Sequence, residues 1–191
     1  MIDSLMAHLD KALAGKLWQR FNLEPDSYGM LTLHRPANVD DLHSLTEIGL
    51  ALKEVSAELP LLFPVHPRTR DRLDQALPDW SPIRIVEPLG YLDFLVLMAK
   101  AKLVLTDSVG IQEETTILGV PCVTIRPNTE RPITIESGTN RHAGVTRQGI
   151  VVAARDALSQ ASFTTIPPAF WDGQAAGRIV DVIQQGALSL G

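Results

Sequence analysis

Leu103–Gly119, LVLTDSVGIQEETTILG, decides how the rest of the chain is read. It opens on an apolar run, Leu103–Leu105, of the kind found in a strand buried within a parallel sheet. It breaks at Thr106-Asp107-Ser108-Val109-Gly110 and resumes with Ile111, Thr115 and Leu118 at helical spacing, with Gly119 placed to end the helix. A strand, a short polar turn with glycine and a helix together aim backbone N–H groups and a helix N-terminus at one point, which makes an anion site. Open α/β sheets bind ligands in the crevice beyond the C-terminal ends of their strands. Ser108, Val109 and Gly110 are therefore the first candidates to hold phosphate.

Glu114 follows Gly110 by four residues and shares its helix face. Glu113 is rotated from it by about 100°. One carboxylate of the pair can face a ligand while its neighbour does not. A carboxylate one turn in from a phosphate would repel it, but it suits a vicinal diol, each oxygen accepting one hydroxyl. Phosphate at the turn and ribose at Glu114 together describe a nucleotide. A purely local alternative stands beside this: Asp107 or Ser108 as an N-cap, with the two glutamates complementing the helix dipole.

The chain's 191 residues suit one α/β domain with its own core, or one large half of a bigger protein. Apolar residues make up 45% and charged residues 20%, which excludes a disordered chain. The net charge of −5 argues against a general nucleic-acid binder and leaves room for a local basic pocket. The single cysteine, Cys122, lies in the apolar run Val120–Ile125 and is expected to be a buried thiol. No apolar stretch reaches the length of a membrane span, and the N-terminus lacks a signal-peptide pattern, so a cytoplasmic protein without a membrane partner is expected.

Outward from the central stretch, strand-like and helix-like segments alternate. Residues 2–20 carry Ile2, Leu5, Met6, Leu9, Leu13 and Leu17 at helical spacing, and a connector runs to Asp26. Strands are expected at Tyr28–Leu33, Leu61–Val65, Ile83–Val86 and Val120–Ile125, with a short one at Ala143–Val145. Helices are expected at Asp41–Glu58, Asp71–Ala76, Tyr91–Lys100, Gln148–Gln160 and Asp172–Gln185, with a helix or turn over Pro132–Ser137 and an irregular Thr164–Pro168. This alternation predicts a doubly wound parallel sheet with right-handed crossovers.

Several strands then end in polar loops: His34-Arg35, His66-Pro67-Arg68, Glu87–Gly90, Asp107–Gly110 and Arg126–Arg131. In a parallel sheet these gather on one edge, so histidines, arginines and a helix N-terminus converge there. For His34 and Arg35 the alternatives are a pair aimed at a diphosphate and a helix-entry turn capped by Asn38 or Asp40. His66 is equally readable as a buried histidine bonded to a backbone carbonyl, and Arg68 and Arg70 are expected to be partly solvent-facing. Arg131 is an anion contact or the partner of an acidic neighbour, and Phe94 flanks a base or belongs to the core. No histidine spacing suits a metal, and Ser108 lacks the surroundings of a hydrolase nucleophile.

Taken together, TDSVGIQEE, LHRPAN, FPVHPR, TERP with SGTN, and WDGQAAGRI resemble, in order, motifs of the non-hydrolysing UDP-N-acetylglucosamine 2-epimerase family. In TDSVGIQEE, Val109 stands where the family has the first glycine of a pair, a restriction if positive φ is needed there. Asn140-Arg141-His142-Ala143 replaces a more apolar family segment. The resemblance runs from about Met1 to Ile183 but covers half of the family's length. It implies a Rossmann-like domain, one half of a glycosyltransferase-B-like fold, corresponding to the C-terminal nucleotide-binding domain. Residues 1–26 would be the leading helix and connector, 27–160 the α/β core, and 161–191 the tail and a helix crossing toward the other half.

The resemblance also implies the chemistry. The family inverts C2 of the sugar by eliminating UDP to give a 2-acetamidoglucal and re-adding it with a proton on the other face. Loss of UDP needs preorganised donors and cations at the diphosphate, and proton removal and return need separate acid and base groups. Carried over, Ser108, Val109 and Gly110 hold the phosphates, Glu114 the ribose and Phe94 the uracil surroundings, with His34 and Arg131 as catalytic residues at the diphosphate and sugar. The implied partners are UDP or a UDP-N-acetylhexosamine, an N-terminal domain bearing the acidic proton-transfer residues, and a second copy in a homodimer; no cofactor or metal is implied. The chain alone is expected not to epimerise. Alternatives are the nucleotide-sugar half of a glycosyltransferase and a non-catalytic nucleotide-sensing module.

Overall fold

A computed structural model describes residues 1–160 and 167–188. Its centre is a parallel sheet with β1 at Gly29–Thr32, β2 at Leu61–Pro64, β3 at Arg84–Val86, β4 at Leu103–Thr106, β5 at Cys122–Thr124 and β6 at Asn140–His142. The spatial order is β3-β2-β1-β4-β5-β6, and every pairing is parallel. This is the doubly wound dinucleotide-fold order, with its switch point between β1 and β4.

Strand periodicity explains the layers. Leu31, Leu103 and Leu105 point into one apolar cluster, while Met30 and Val104 point into the other. The first cluster is closed by α3 (Leu42–Glu58), α4 (Pro67–Ala76) and α8 (Arg147–Ser159). The second is closed by α1 (Ile2–Leu13), α5 (Tyr91–Ala99) and α6 (Val109–Leu118). Both faces of the central strands are therefore dry, which is why they read as continuous apolar runs. Cys122 is fully buried in β5, and burial pushes its thiol up to about 12. The short α2 (Pro36–Val39), α7 (Ile133–Glu136) and the terminal α9 (Ala175–Leu188) complete the chain.

Four expectations are corrected. The helix expected over 2–20 stops at Leu13; Lys16 turns left-handed, and Leu17–Phe21 forms a 3₁₀ turn that buries both Trp18 and Phe21. The helix expected from Asp71 begins at Pro67, where proline fits the first helical position, having no N–H to lose. The last sheet strand is Asn140–His142 and not Ala143–Val145. Its polar sequence hid it: buried Asn140 accepts the Thr124 hydroxyl at 2.7 Å and donates to Thr134 Oγ1 at 3.1 Å, bonds visible only in three dimensions. The terminal helix starts at Ala175, after a turn with Gly173 at φ 76°. Most of the irregular segment expected at Thr164–Pro168 lies outside the described residues.

Candidate functional site

The loops after β1 and β4 meet at the switch point, and Asp107 joins them. Its carboxylate is fully buried. It accepts the backbone N–H of His34 at 3.0 Å, that of Arg35 at 2.9 Å and the Asn38 amide at 3.2 Å, and His34 Nδ1 lies 2.9 Å away. Asn38 also donates to the Ile125 carbonyl at 2.8 Å, drawing in the end of β5. The local alternative for Asp107 therefore fails: its side chain is spent across the sheet. Ser108 is the N-cap residue of α6 by position, yet its side chain makes no capping hydrogen bond. Asn38 and Asp40 do not cap the helix that follows β1 either; Asp41 caps α3, accepting from His43 and Ser44.

Val109 is the first helical residue of α6 and does not adopt a positive φ. A β-branched side chain is therefore no conformational obstacle at the turn, contrary to the concern raised by the sequence. Gly110 packs against the Met1 thioether, which would lie 2.7 Å from an added Cβ.

The two glutamates diverge as helix geometry requires. Glu114 is 7% exposed and accepts the Tyr91 hydroxyl at 3.2 Å. Burial raises its pKa, with the Tyr91 hydrogen bond opposing the rise. Tyr91 in turn is pushed up to about 12, by desolvation first and then by the Glu114 charge. Glu113 instead pairs with Arg131 Nε at 2.5 Å. The acidic neighbour of Arg131 is thus Glu113, whereas Glu130 pairs with Arg126 at 2.6 Å. The Glu130 carboxyl is held below its ordinary range, by its Arg126 hydrogen bond and charge first, with Arg35 and Arg131 adding to them. Three arginines from the ends of β1 and β5 therefore gather at one place. Among the described residues, Arg35 Nε and Arg126 Nη1 are buried there without a hydrogen-bond partner. Such a cluster can neutralise a polyanion.

The loop bearing Arg131 is hung on buried amides and hydroxyls. Gln112 accepts the Thr129 hydroxyl at 3.1 Å, Thr129 Oγ1 accepts the Arg131 N–H at 3.1 Å, and Thr134 donates to the Arg131 carbonyl at 2.7 Å. Phe94, one turn beyond Tyr91 on α5, packs against the apolar cluster beneath that helix. His66 is exposed and not buried, its carbonyl accepting from Thr69 and Arg70 in the first turn of α4. Arg70 is exposed, and the Arg68 side chain lies outside the described part. A cavity of about 330 Å³ lined by Lys102, Gly119 and Ala157 opens at the opposite edge, by the strand N-termini, away from these loops. Among the described residues no three His, Cys, Asp or Glu side chains are grouped to hold a metal.

The structure thus brings together His34, Ser108–Gly110, Glu114 and Arg131, and adds Asp107, Tyr91, Asn38 and Arg126. Asp107 was visible in the sequence only as a cap, because its partners lie about seventy residues away. Tyr91 carried no signal beyond its place at a helix start.

Residues 1–184 match the family model described as UDP-N-acetylglucosamine 2-epimerase. A UDP-N-acetylglucosamine 2-epimerase of Methanocaldococcus jannaschii is 40% identical over 168 residues, covering 84% of this chain and 45% of the relative. A UDP-2,3-diacetamido-2,3-dideoxy-D-glucuronate 2-epimerase of Pseudomonas aeruginosa is 37% identical over 162 residues, covering 83% and 44%. The crystal structure of the Methanocaldococcus jannaschii UDP-GlcNAc 2-epimerase in complex with UDP-GlcNAc and UDP aligns with a TM-score of 0.86 and 37% identity, covering 96% of this chain and 52% of that one. The chain spans about half the length of the relatives it matches, and its sheet is one half of a glycosyltransferase-B-like fold.

Proposed function

Because the chain belongs to the UDP-N-acetylglucosamine 2-epimerase family, we propose that it is the nucleotide-binding half of an enzyme that interconverts UDP-GlcNAc and UDP-ManNAc by elimination and re-addition of UDP. The observation that carries this reading is the α6 N-terminus, uncapped by the Ser108 side chain, at the β1/β4 switch point, with buried Glu114 one turn in. Ser108, Val109 and Gly110 offer the phosphates their backbone. Glu114 accepts the ribose hydroxyls, and Phe94 borders the uracil. His34 and Arg131 act at the diphosphate and sugar, with Arg131 exchanging its Glu113 partner for the anion. The substrate class is a UDP-linked 2-acetamido sugar, the chemistry common to the names of both relatives.

The proton-transfer carboxylates belong to another half, against which α9 docks through Ile179 and Ile183, both exposed here. A cytoplasmic location, supply of a cell-surface polysaccharide precursor and pairing as a homodimer belong to the same reading. No helix among the described residues is long and apolar enough to cross a membrane.

Calorimetric titration of the 191-residue chain with UDP, with ADP as control, tests the site. Binding of UDP and not ADP is expected, together with no conversion of UDP-GlcNAc by the chain alone. Equal binding of both nucleotides would refute the uracil assignment, and conversion by this chain would refute the division of labour.

A further inference from the structure

We infer that Asp107 is the positioning residue of His34: it holds the imidazole in the tautomer protonated at Nδ1 and leaves Nε2 as a hydrogen-bond acceptor. The assignment rests on donor and acceptor counting. The carboxylate is fully buried, and the other three groups on it are all donors: the N–H of His34, the N–H of Arg35 and the amide of Asn38. It sits in this fold as an acceptor. An acceptor oxygen 2.9 Å from Nδ1 calls for an N–H at Nδ1. The neutral ring then carries its lone pair on Nε2.

This tautomer divides the work of the site, on the nucleotide-sugar reading proposed above. A lone pair on Nε2 repels a phosphate oxygen and attracts a hydroxyl, so this tautomer of His34 serves the sugar, while the α6 N-terminus serves the phosphates. Asp107 enforces this without touching the ligand, and it fixes the ring by the same bonds that tie the β1 loop to β4.

The arrangement predicts that an isosteric change inverts the tautomer. Oδ2 receives Arg35, Asn38 and the shorter branch of the His34 N–H, 3.0 Å against 3.2 Å to Oδ1, whereas only Oδ1 lies against the ring nitrogen, at 2.9 Å. In Asp107→Asn the carbonyl oxygen stays with the backbone donors. The new NH₂ then points at Nδ1, which must become the acceptor, and the ring proton moves to Nε2.

The test is a long-range ¹H–¹⁵N correlation of histidine-labelled chain at alkaline pH, with the His34 signals assigned by their loss in His34→Gln. The expected wild-type pattern is a protonated Nδ1 and an unprotonated Nε2, reversed in Asp107→Asn. A wild-type ring protonated at Nε2 overturns the inference, and this reading needs no variant to fold. An unreversed pattern in a folded Asp107→Asn overturns it too. On the sugar side, Asp107→Asn is expected to lower UDP-GlcNAc affinity by about tenfold, the loss of one charge-assisted hydrogen bond's worth of positioning. An unchanged affinity in the folded variant removes the positioning role. Failure of the wild type to bind UDP would sink the nucleotide reading instead, because the tautomer is measured without ligand.

Discussion

Glu113 and Glu114 are adjacent in the chain and occupy opposite chemical environments: one neutralises Arg131, the other sits buried under Tyr91. Glu114→Gln is therefore expected to weaken UDP binding more than Glu113→Gln, since an amide offers a diol one acceptor where a carboxylate offers two. Equal losses by calorimetry would show that the two side chains share one role. The sign of the pH effect follows from burial. The Glu114 pKa is raised in the folded chain above its ordinary value of 4.5. Its contribution to stability is complete below that value and is lost as pH rises through the folded pKa, where a buried charge must form. Urea midpoints of Glu114→Gln relative to wild type should accordingly improve as pH is raised from about 4.5 toward neutrality. UDP affinity should move the other way, the wild type gaining on Glu114→Gln as pH rises and the carboxylate gains its second acceptor.

At the scale of elements, α6 is the piece on which the site depends, and it is fastened at both ends. Its N-terminus follows the buried Asp107 junction, and Gly119 ends it at φ 71°, a conformation that favours glycine. Its flank is fixed by the SGTN turn. A Cβ on Gly138 would stand 2.4 Å from the Thr134 carbonyl oxygen and 2.5 Å from the Thr116 hydroxyl. Gly138→Ala should therefore cost about 1–3 kcal/mol, the range of an overpacked core. It should also loosen the Arg131 loop, because the Thr134 hydroxyl donates to the Arg131 carbonyl. Thermal unfolding and the UDP titration should fall together; a variant as stable as the wild type would mean that the turn can yield.

For the whole molecule, the strand order places the loops after β1 and β4 side by side, so residues some seventy positions apart become one site. The same architecture leaves α9 projecting, with Ile179, Val180, Val182 and Ile183 all exposed. Ile183→Ser should change the urea midpoint of the isolated chain by no more than about 0.5 kcal/mol equivalent, as expected for a surface position. It should weaken association with a separately supplied N-terminal half of the Methanocaldococcus jannaschii relative. An equal affinity for that half would place the domain contact elsewhere.

The sequence by itself determined the class of fold, the parallel sheet and the strand–turn–helix segment at its switch point. Those features rest on local periodicity and on a turn composition that any reader of the chain can weigh: apolar runs for strands dry on both faces, and a strand–turn–helix break at Asp107–Gly110. It also separated Glu113 from Glu114, because helix geometry alone rotates them apart. What only the tertiary structure decided is which groups answer one another. Asp107 serves His34, Arg35 and Asn38 and does not cap α6; Arg131 belongs to Glu113; Asn140, unlike a strand residue in type, anchors the edge strand through buried amide bonds. Hydrogen bonds and ion pairs between distant segments leave no periodic trace in the chain, since they are fixed by the order in which strands pack and not by the spacing of residues along any one of them.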